Sequence, residues 1–200
     1  LPLVIVSPYE HHSNEIPLRF CLCEAVRTPL NSQGLIDFDF LKNLLEQNKG
    51  REIIASFSLA SNLTGIISDY KKLYLTVKAY GGILVLDGAA FVPHEDIDFG
   101  FCDAAVFSPH KLLGGVGSSG VLIVKNSLFK SEIPTFGGGG TLAYTDNISQ
   151  RFFIDNERLE EAGTQGITQF IRAYLAYKIR CDFGIENIKS HENKLSEYFI

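Results

Sequence analysis

The sequence predicts an α/β domain of three layers, with a mostly parallel sheet covered by helices on both faces. Three observations point there. Short apolar runs alternate with segments of helical periodicity along the chain. The runs are largely apolar rather than alternating, as suits strands covered on both faces. Polar residues cluster just after several runs, at the strand ends where open α/β sheets bind ligands.

The first run, 3–7, has no basic lead and no cleavage site near it, so it reads as a core strand and not as a signal peptide. A second strand is expected over 20–26. Residues 37–48 read as a helix, because Phe38, Leu41, Leu44 and Leu45 keep three- and four-residue spacing and Asp37 can cap it. A strand over 53–57 follows. The next helix starts at Ser68 or Asp69, turns Tyr70, Leu73, Tyr74 and Val77 inward, and stops at Gly81-Gly82. Strands are expected over 83–87, 104–107 and 120–124. Two further helices, Ile167–Phe183 and Ile185–Phe199, break at Gly184. Gly137 to Gly140 is the one glycine-rich stretch, and without a following Lys-Ser/Thr it is not a nucleotide loop.

Two hundred residues at 46% apolar content make one ordinary domain with a sizeable core. The net charge of −5 argues against a nucleic-acid surface. No run reaches the length of a membrane span. The four cysteines, Cys21, Cys23, Cys102 and Cys181, fit neither a zinc site nor a disulfide framework. They read as reduced, buried thiols of a cytoplasmic protein. The chain starts with Leu, contains no Met, and ends inside a helical pattern, so both ends are expected to be cut from a longer protein.

The chemistry concentrates after two strands. Phe107-Ser108-Pro109-His110-Lys111 follows one apolar run and leads into Gly114-Gly115. A desolvated lysine on such a turn can attack a carbonyl. Asp87 ends the preceding strand. An acid and a lysine on neighbouring strand ends suit a pyridoxal phosphate site, which needs an imine-forming lysine, a carboxylate for the ring nitrogen, a cover for the ring face and donors for the phosphate. Lys111 and Asp87 supply the first two. His11 or His12 can cover the ring and assist proton transfer, and Ser108 and His110 can reach the phosphate. Each residue also has a plain reading: Lys111 as a solvated loop lysine, Asp87 as a turn former, the histidine pair as surface, Asn62 as an Asx turn before Thr64-Gly65, and the glycine run as a hinge.

Six segments carry a resemblance. They are 10–17 (Glu-His-His-Ser-Asn-Glu-Ile-Pro), 60–65 (Ala-Ser-Asn-Leu-Thr-Gly), Leu86-Asp87-Gly88-Ala89, 107–111, Gly137 to Gly139, and Glu161-Ala162-Gly163-Thr164. In this order they resemble the class V pyridoxal-phosphate enzymes of fold type I, which include aminotransferases, cysteine desulfurases and selenocysteine lyases. The resemblance covers nearly the whole chain. It implies that the run 120–124 is the antiparallel strand, that pyridoxal 5'-phosphate is the cofactor, and that an amino acid is the substrate. It implies Lys111 as the Schiff-base lysine, Asp87 as the partner of the ring nitrogen and His11 as the stacking residue. Ser108 and His110 would contact the phosphate, and Asn62 the ring hydroxyl and substrate carboxylate. Thr164 would reach the phosphate of the neighbouring subunit, which implies a homodimer. Ala90 stands where the family has glutamine, and Gln165-Gly166 where it has proline and asparagine. The family's phosphate loop would precede Leu1, and its C-terminal small domain, with the desulfurase cysteine, would follow residue 200. Residues 1–200 are therefore expected to form an incomplete large domain. The alternative is a cofactor-binding or dimerisation fragment without turnover.

Overall fold

The structure, a computed structural model, describes residues 1–199. Six strands form one sheet: β1 (Leu3–Val6), β2 (Glu24–Arg27), β3 (Ile53–Ser58), β4 (Ile83–Asp87), β5 (Ala104–Phe107) and β6 (Val121–Val124). Their spatial order is β2-β1-β3-β4-β5-β6. All neighbours are parallel except β5 and β6, which run antiparallel. Helices α1 (His12–Glu15), α2 (Phe38–Gln47), α3 (Tyr70–Lys78), α4 (Asn156–Glu160), α5 (Ile167–Phe183) and α6 (Ile185–Phe199) flank the sheet. A separate hairpin, β7 (Leu142–Thr145) with β8 (Gln150–Phe152), precedes α4. The expected α/β architecture with one antiparallel strand is the observed one. No helix among the described residues is long and apolar enough to cross a membrane.

The core forms where strand alternation meets helical periodicity. Leu3, Ile5, Ala55, Phe57, Leu84 and Leu86 project from the strands onto Leu41 and Leu45 of α2 and Leu73 and Val77 of α3, all fully buried. Burying each of the larger side chains contributes roughly 1.5–3 kcal/mol. Both helices start where expected: the Asp37 carboxylate accepts from the Asp39 and Phe40 amides, and the Asp69 carboxylate from the Lys72 amide. Alternation sends Ser56 and Ser58 of β3 to the opposite face. Those two buried hydroxyls matter for the site described below.

A buried carboxylate ties β4, β5 and β6 together away from the strand ends that carry Asp87 and Lys111. Asp103, 4% exposed, accepts from the Leu84 amide at 2.9 Å, from Lys78 Nζ at 3.1 Å and from Lys125 Nζ at 3.2 Å. Burial pulls its pKa up, but the Leu84 amide and the two ammonium groups outweigh it and hold the carboxyl below its usual value. A lowered carboxylate pKa contributes stability above the unfolded value, near pH 4, and that stability is lost as pH falls through the folded value. Asp103→Asn is therefore expected to cost about 2 kcal/mol at pH 7 and progressively less as the pH falls below about 4. Urea unfolding of both proteins across that acid range checks this; a difference that does not shrink would contradict it.

Three expectations and one of the plain readings need correction. The second strand starts at Glu24 and not at 20. Pro17 opens a short 3-10 helix over Ile16–Phe20, a tight turn follows, and pairing begins only where the Glu24 amide reaches the Pro2 carbonyl at 3.0 Å. The cover over both faces does not extend to the edge strand β6, where Leu122 is 63% exposed. The glycine run is not a free hinge: the Thr141 hydroxyl donates to the Gly138 carbonyl at 2.8 Å and the Gly163 amide to the Gly139 carbonyl at 2.6 Å. The cysteines are not uniformly buried. Only Cys102 is; Cys21 and Cys181 are exposed and Cys23 lies between.

Candidate active site

The carboxyl ends of β3, β4 and β5 open into one cleft of about 610 Å3, a volume ordinary for small-ligand sites. His11, Asn62, Asp87, Ser108, His110 and Lys111 all line it, with Ala90 and Ser58 between them. Six of the seven expected site residues, drawn from four loops, thus meet at one place. Thr164 does not join them. It is exposed on the loop between α4 and α5.

Asp87 is the last residue of β4, opposite Ser58 on one side and Val106 on the other. One carboxylate oxygen accepts from the Ala89 amide at 2.9 Å, which sets the side chain's direction. Gly88 follows, its amide on the Val106 carbonyl at 2.8 Å. A Cβ there would come within 2.9 Å of Ile97 Cδ1 and 3.1 Å of Val92 Cγ2, so the segment passes close beneath the packed loop after it.

Lys111 ends a single 3-10 turn, Pro109–Lys111, entered directly from β5. Pro109 is buried and fixes the turn's first dihedral. The Lys111 amide donates to the Ser108 carbonyl at 3.0 Å. The Ser108 side chain makes no capping bond and stays available to the cleft. Lys111 is exposed, so the packing of this chain does not supply the desolvation expected for it. Lys111, Asn62 and Ala90 also border a second cavity of about 610 Å3 against α6, where His94 Nδ1 lies 2.5 Å from the Glu192 carboxylate. The lysine therefore stands between two openings.

His11 caps α1. Its Nδ1 accepts from the Ser13 amide at 3.3 Å, and the Ser13 hydroxyl lies 2.7 Å from the same nitrogen. That use of Nδ1 leaves the proton of the neutral ring on Nε2. Asn62 sits exposed on a loop closed by its neighbour. The buried Ser61 hydroxyl accepts from the Leu63 and Thr64 amides, so Ser61, not Asn62, makes the turn.

The residue missed from the sequence is Glu10. Its carboxylate accepts from the Ser7 amide at 3.1 Å, the Ser58 amide at 2.8 Å and the Ser58 hydroxyl at 2.9 Å, and it also pairs with the Asn14 side-chain amide. Asn14 in turn accepts from the Ser56 hydroxyl at 2.8 Å. This latch fastens the His11 segment to β3. Two signals were available: serines at alternate positions of an apolar strand, and Glu10 four residues before Asn14. Glu10→Ala strands two backbone amides and a buried hydroxyl, and is expected to cost about 2–4 kcal/mol. Chemical unfolding measures it, with Glu10→Gln, which keeps one acceptor, losing less.

An open, mostly parallel sheet that gathers a lysine, an aspartate and a histidine at its carboxyl edge has the layout in which α/β domains place their ligand sites. The chain belongs to the aminotransferase class-V family, whose model matches residues 3–200. It is 30% identical over 203 residues to a cysteine desulfurase of Escherichia coli and 29% identical over 204 residues to a probable cysteine desulfurase of Aeropyrum pernix. Each match covers 98% of this chain but only 48% and 49% of the relative, so the chain spans about half the length of the curated relatives it matches. Among solved structures it resembles the apo cysteine desulfurase of Thermococcus onnurineus, with a TM-score of 0.85 and 25% identity over 98% of this chain and 50% of that one. A cysteine desulfurase of Escherichia coli in its S-sulfonic acid form matches at 0.81 and 28% identity, over 93% of this chain and 47% of that one.

Proposed function

We propose that this chain is the cofactor-binding part of a pyridoxal-phosphate enzyme that acts on an amino acid, as an aminotransferase or a cysteine desulfurase. The observation that carries the reading is the placement of Lys111 and Asp87 after adjacent strands, facing one cleft with His11. The residues present fit the cofactor: the cleft offers one amine, one half-buried carboxylate with an oxygen beyond the Ala89 contact, and unpaired hydroxyl and imidazole donors. Bound there, pyridoxal phosphate supplies a ring that draws electrons from the substrate's Cα.

The rest is work for this chain's residues. The Lys111 amine would hold the cofactor at its aldehyde carbon and move the proton at the substrate Cα. The second Asp87 oxygen would accept the ring N–H and favour its protonated form. His11 presents its ring face, its Nδ1 anchored by Ser13. Ser108 and His110 donate to the phosphate, and Asn62 to the substrate carboxylate. Ala90 offers a methyl group and no donor at the position where the family carries glutamine. Thr164, on its exposed loop, serves the phosphate of a second subunit in a homodimer. The free cysteines fit a cytoplasmic setting.

The half-length match favours a second reading, in which these residues bind cofactor or a second copy without turning over. One experiment separates the outcomes. The protein is incubated with pyridoxal phosphate and L-cysteine, or with an amino-acid and keto-acid pair, and sulfide, alanine and new keto acid are measured. Sulfide with alanine supports the desulfurase, keto acid the aminotransferase, and bound cofactor without product the second reading. No cofactor binding at all would overturn the enzyme reading, and a monomer in sedimentation as well would overturn the second.

A further inference from the structure

We propose that Cys21 and Cys23 form a redox site, a dithiol that exchanges with external disulfides and closes into a local disulfide. The proposal does not depend on the reading above.

The turn that displaces the expected strand start creates the site. The Cys23 amide donates to the Cys21 carbonyl at 2.9 Å, closing a three-residue turn. Such a closure draws the outer two Cα atoms into the range a disulfide needs, about 4.4–6.8 Å. In an extended strand the two side chains would stand along one face about 6.5–7 Å apart, at the edge of that range or beyond it. The neighbours leave the turn accessible. Cys21 is exposed, and Phe20 and Leu22 beside it are 85% and 87% exposed. Cys23 is half-buried, with Sγ 3.6 Å from the Leu18 carbonyl that accepts from it. The pair therefore has an attacking thiol in solvent and a resolving thiol held behind it. Apolar Phe20 and Leu22 on either side favour a partner disulfide with an apolar surround.

The exchange runs in two steps. The Cys21 thiolate attacks one sulfur of an external disulfide; that S–S bond breaks and one thiolate leaves. The Cys23 thiolate then attacks Cys21 Sγ in the mixed disulfide, and the second thiolate leaves. Two protein thiols are oxidised to one disulfide, the external disulfide is reduced to two thiols, and the two cysteine protons end on the leaving groups. A ring this small is strained, which places the disulfide among the readily reduced ones.

The test uses the whole 200-residue chain, fully reduced, with oxidised glutathione. Trypsin cleaves after Arg19 and Arg27, so one peptide carries both cysteines and neither of the others. The expected result is that peptide lighter by two hydrogens, with no glutathione attached, and restored by mild dithiothreitol. Cys23→Ser should instead accumulate a glutathione adduct on Cys21. Phenylarsine oxide, which condenses with paired thiols and releases water, should label the reduced peptide in the parent and neither single variant. A peptide that stays reduced, keeps a glutathione on each cysteine, or cross-links to Cys102 or Cys181 would overturn the proposal.

Discussion

Lys111→Ala is expected to abolish covalent capture of pyridoxal phosphate. With the parent protein, incubation with the cofactor and reduction with borohydride should fix it on the peptide that holds Lys111. In the variant, that label should fall more than about tenfold, to the level of ordinary surface lysines. The size follows from positioning: an amine held beside the groups that seat the ring and phosphate reacts at an effective concentration far above that of a free side chain. Lys111→Arg keeps the charge but not the nucleophile, and should lose the label equally. Asp87→Asn should retain the label, since imine formation needs the amine and not the ring-nitrogen partner, while shifting the absorbance of the bound cofactor. Undiminished labelling in Lys111→Ala would remove the lysine from the site.

The second large effect is mechanical. Gly115→Ala would put a Cβ 1.8 Å from the Pro109 carbonyl oxygen and 2.7 Å from its carbon. Both are backbone atoms of the turn that carries His110 and Lys111, so neither can swing away as a side chain end would. The expected cost is about 3 kcal/mol, or a fall in Tm of about 6–12 °C for a chain of this length. Gly139→Ala, with nothing within 4 Å of its added methyl, is the control and should change Tm little. If the Gly115 variant melts with the parent, the close approach is not a constraint on the turn. Cofactor capture in any surviving folded fraction should also drop, because the displaced backbone is the lysine's own.

What the sequence disclosed follows physical lines. The inner strands were legible because β3, β4 and β5 are mostly apolar and end in, or lead directly into, polar residues; their observed bounds differ from expectation by one residue at most. The caps at Asp37 and Asp69 are local and were readable as such. The convergence of His11, Asn62, Asp87, Ser108, His110 and Lys111 followed from knowing which strand ends point the same way. The start of β2 was not legible, because Cys21-Leu22-Cys23 is as apolar as a strand while its turn depends on Pro17 and on where β1 lets pairing begin. The Glu10 latch joins residues up to 48 positions apart: the serines of β3 and the Glu10–Asn14 spacing hint at polar partners, but neither says that the two segments meet. The β7–β8 hairpin, with three or four residues per strand, is too short for a periodicity to register.

The sheet's two margins differ in a way that bears on handling the protein. β2 closes one side with Glu24 and Arg27, charged residues that discourage another strand from docking. β6 closes the other with Val-Leu-Ile-Val, half-exposed and without a charge until Lys125. Its outward row of amides and carbonyls is a template for further strand addition. Self-association driven by the backbone therefore has one favoured entrance, and a lysine in place of Leu122 or Ile123 is the change that would guard it.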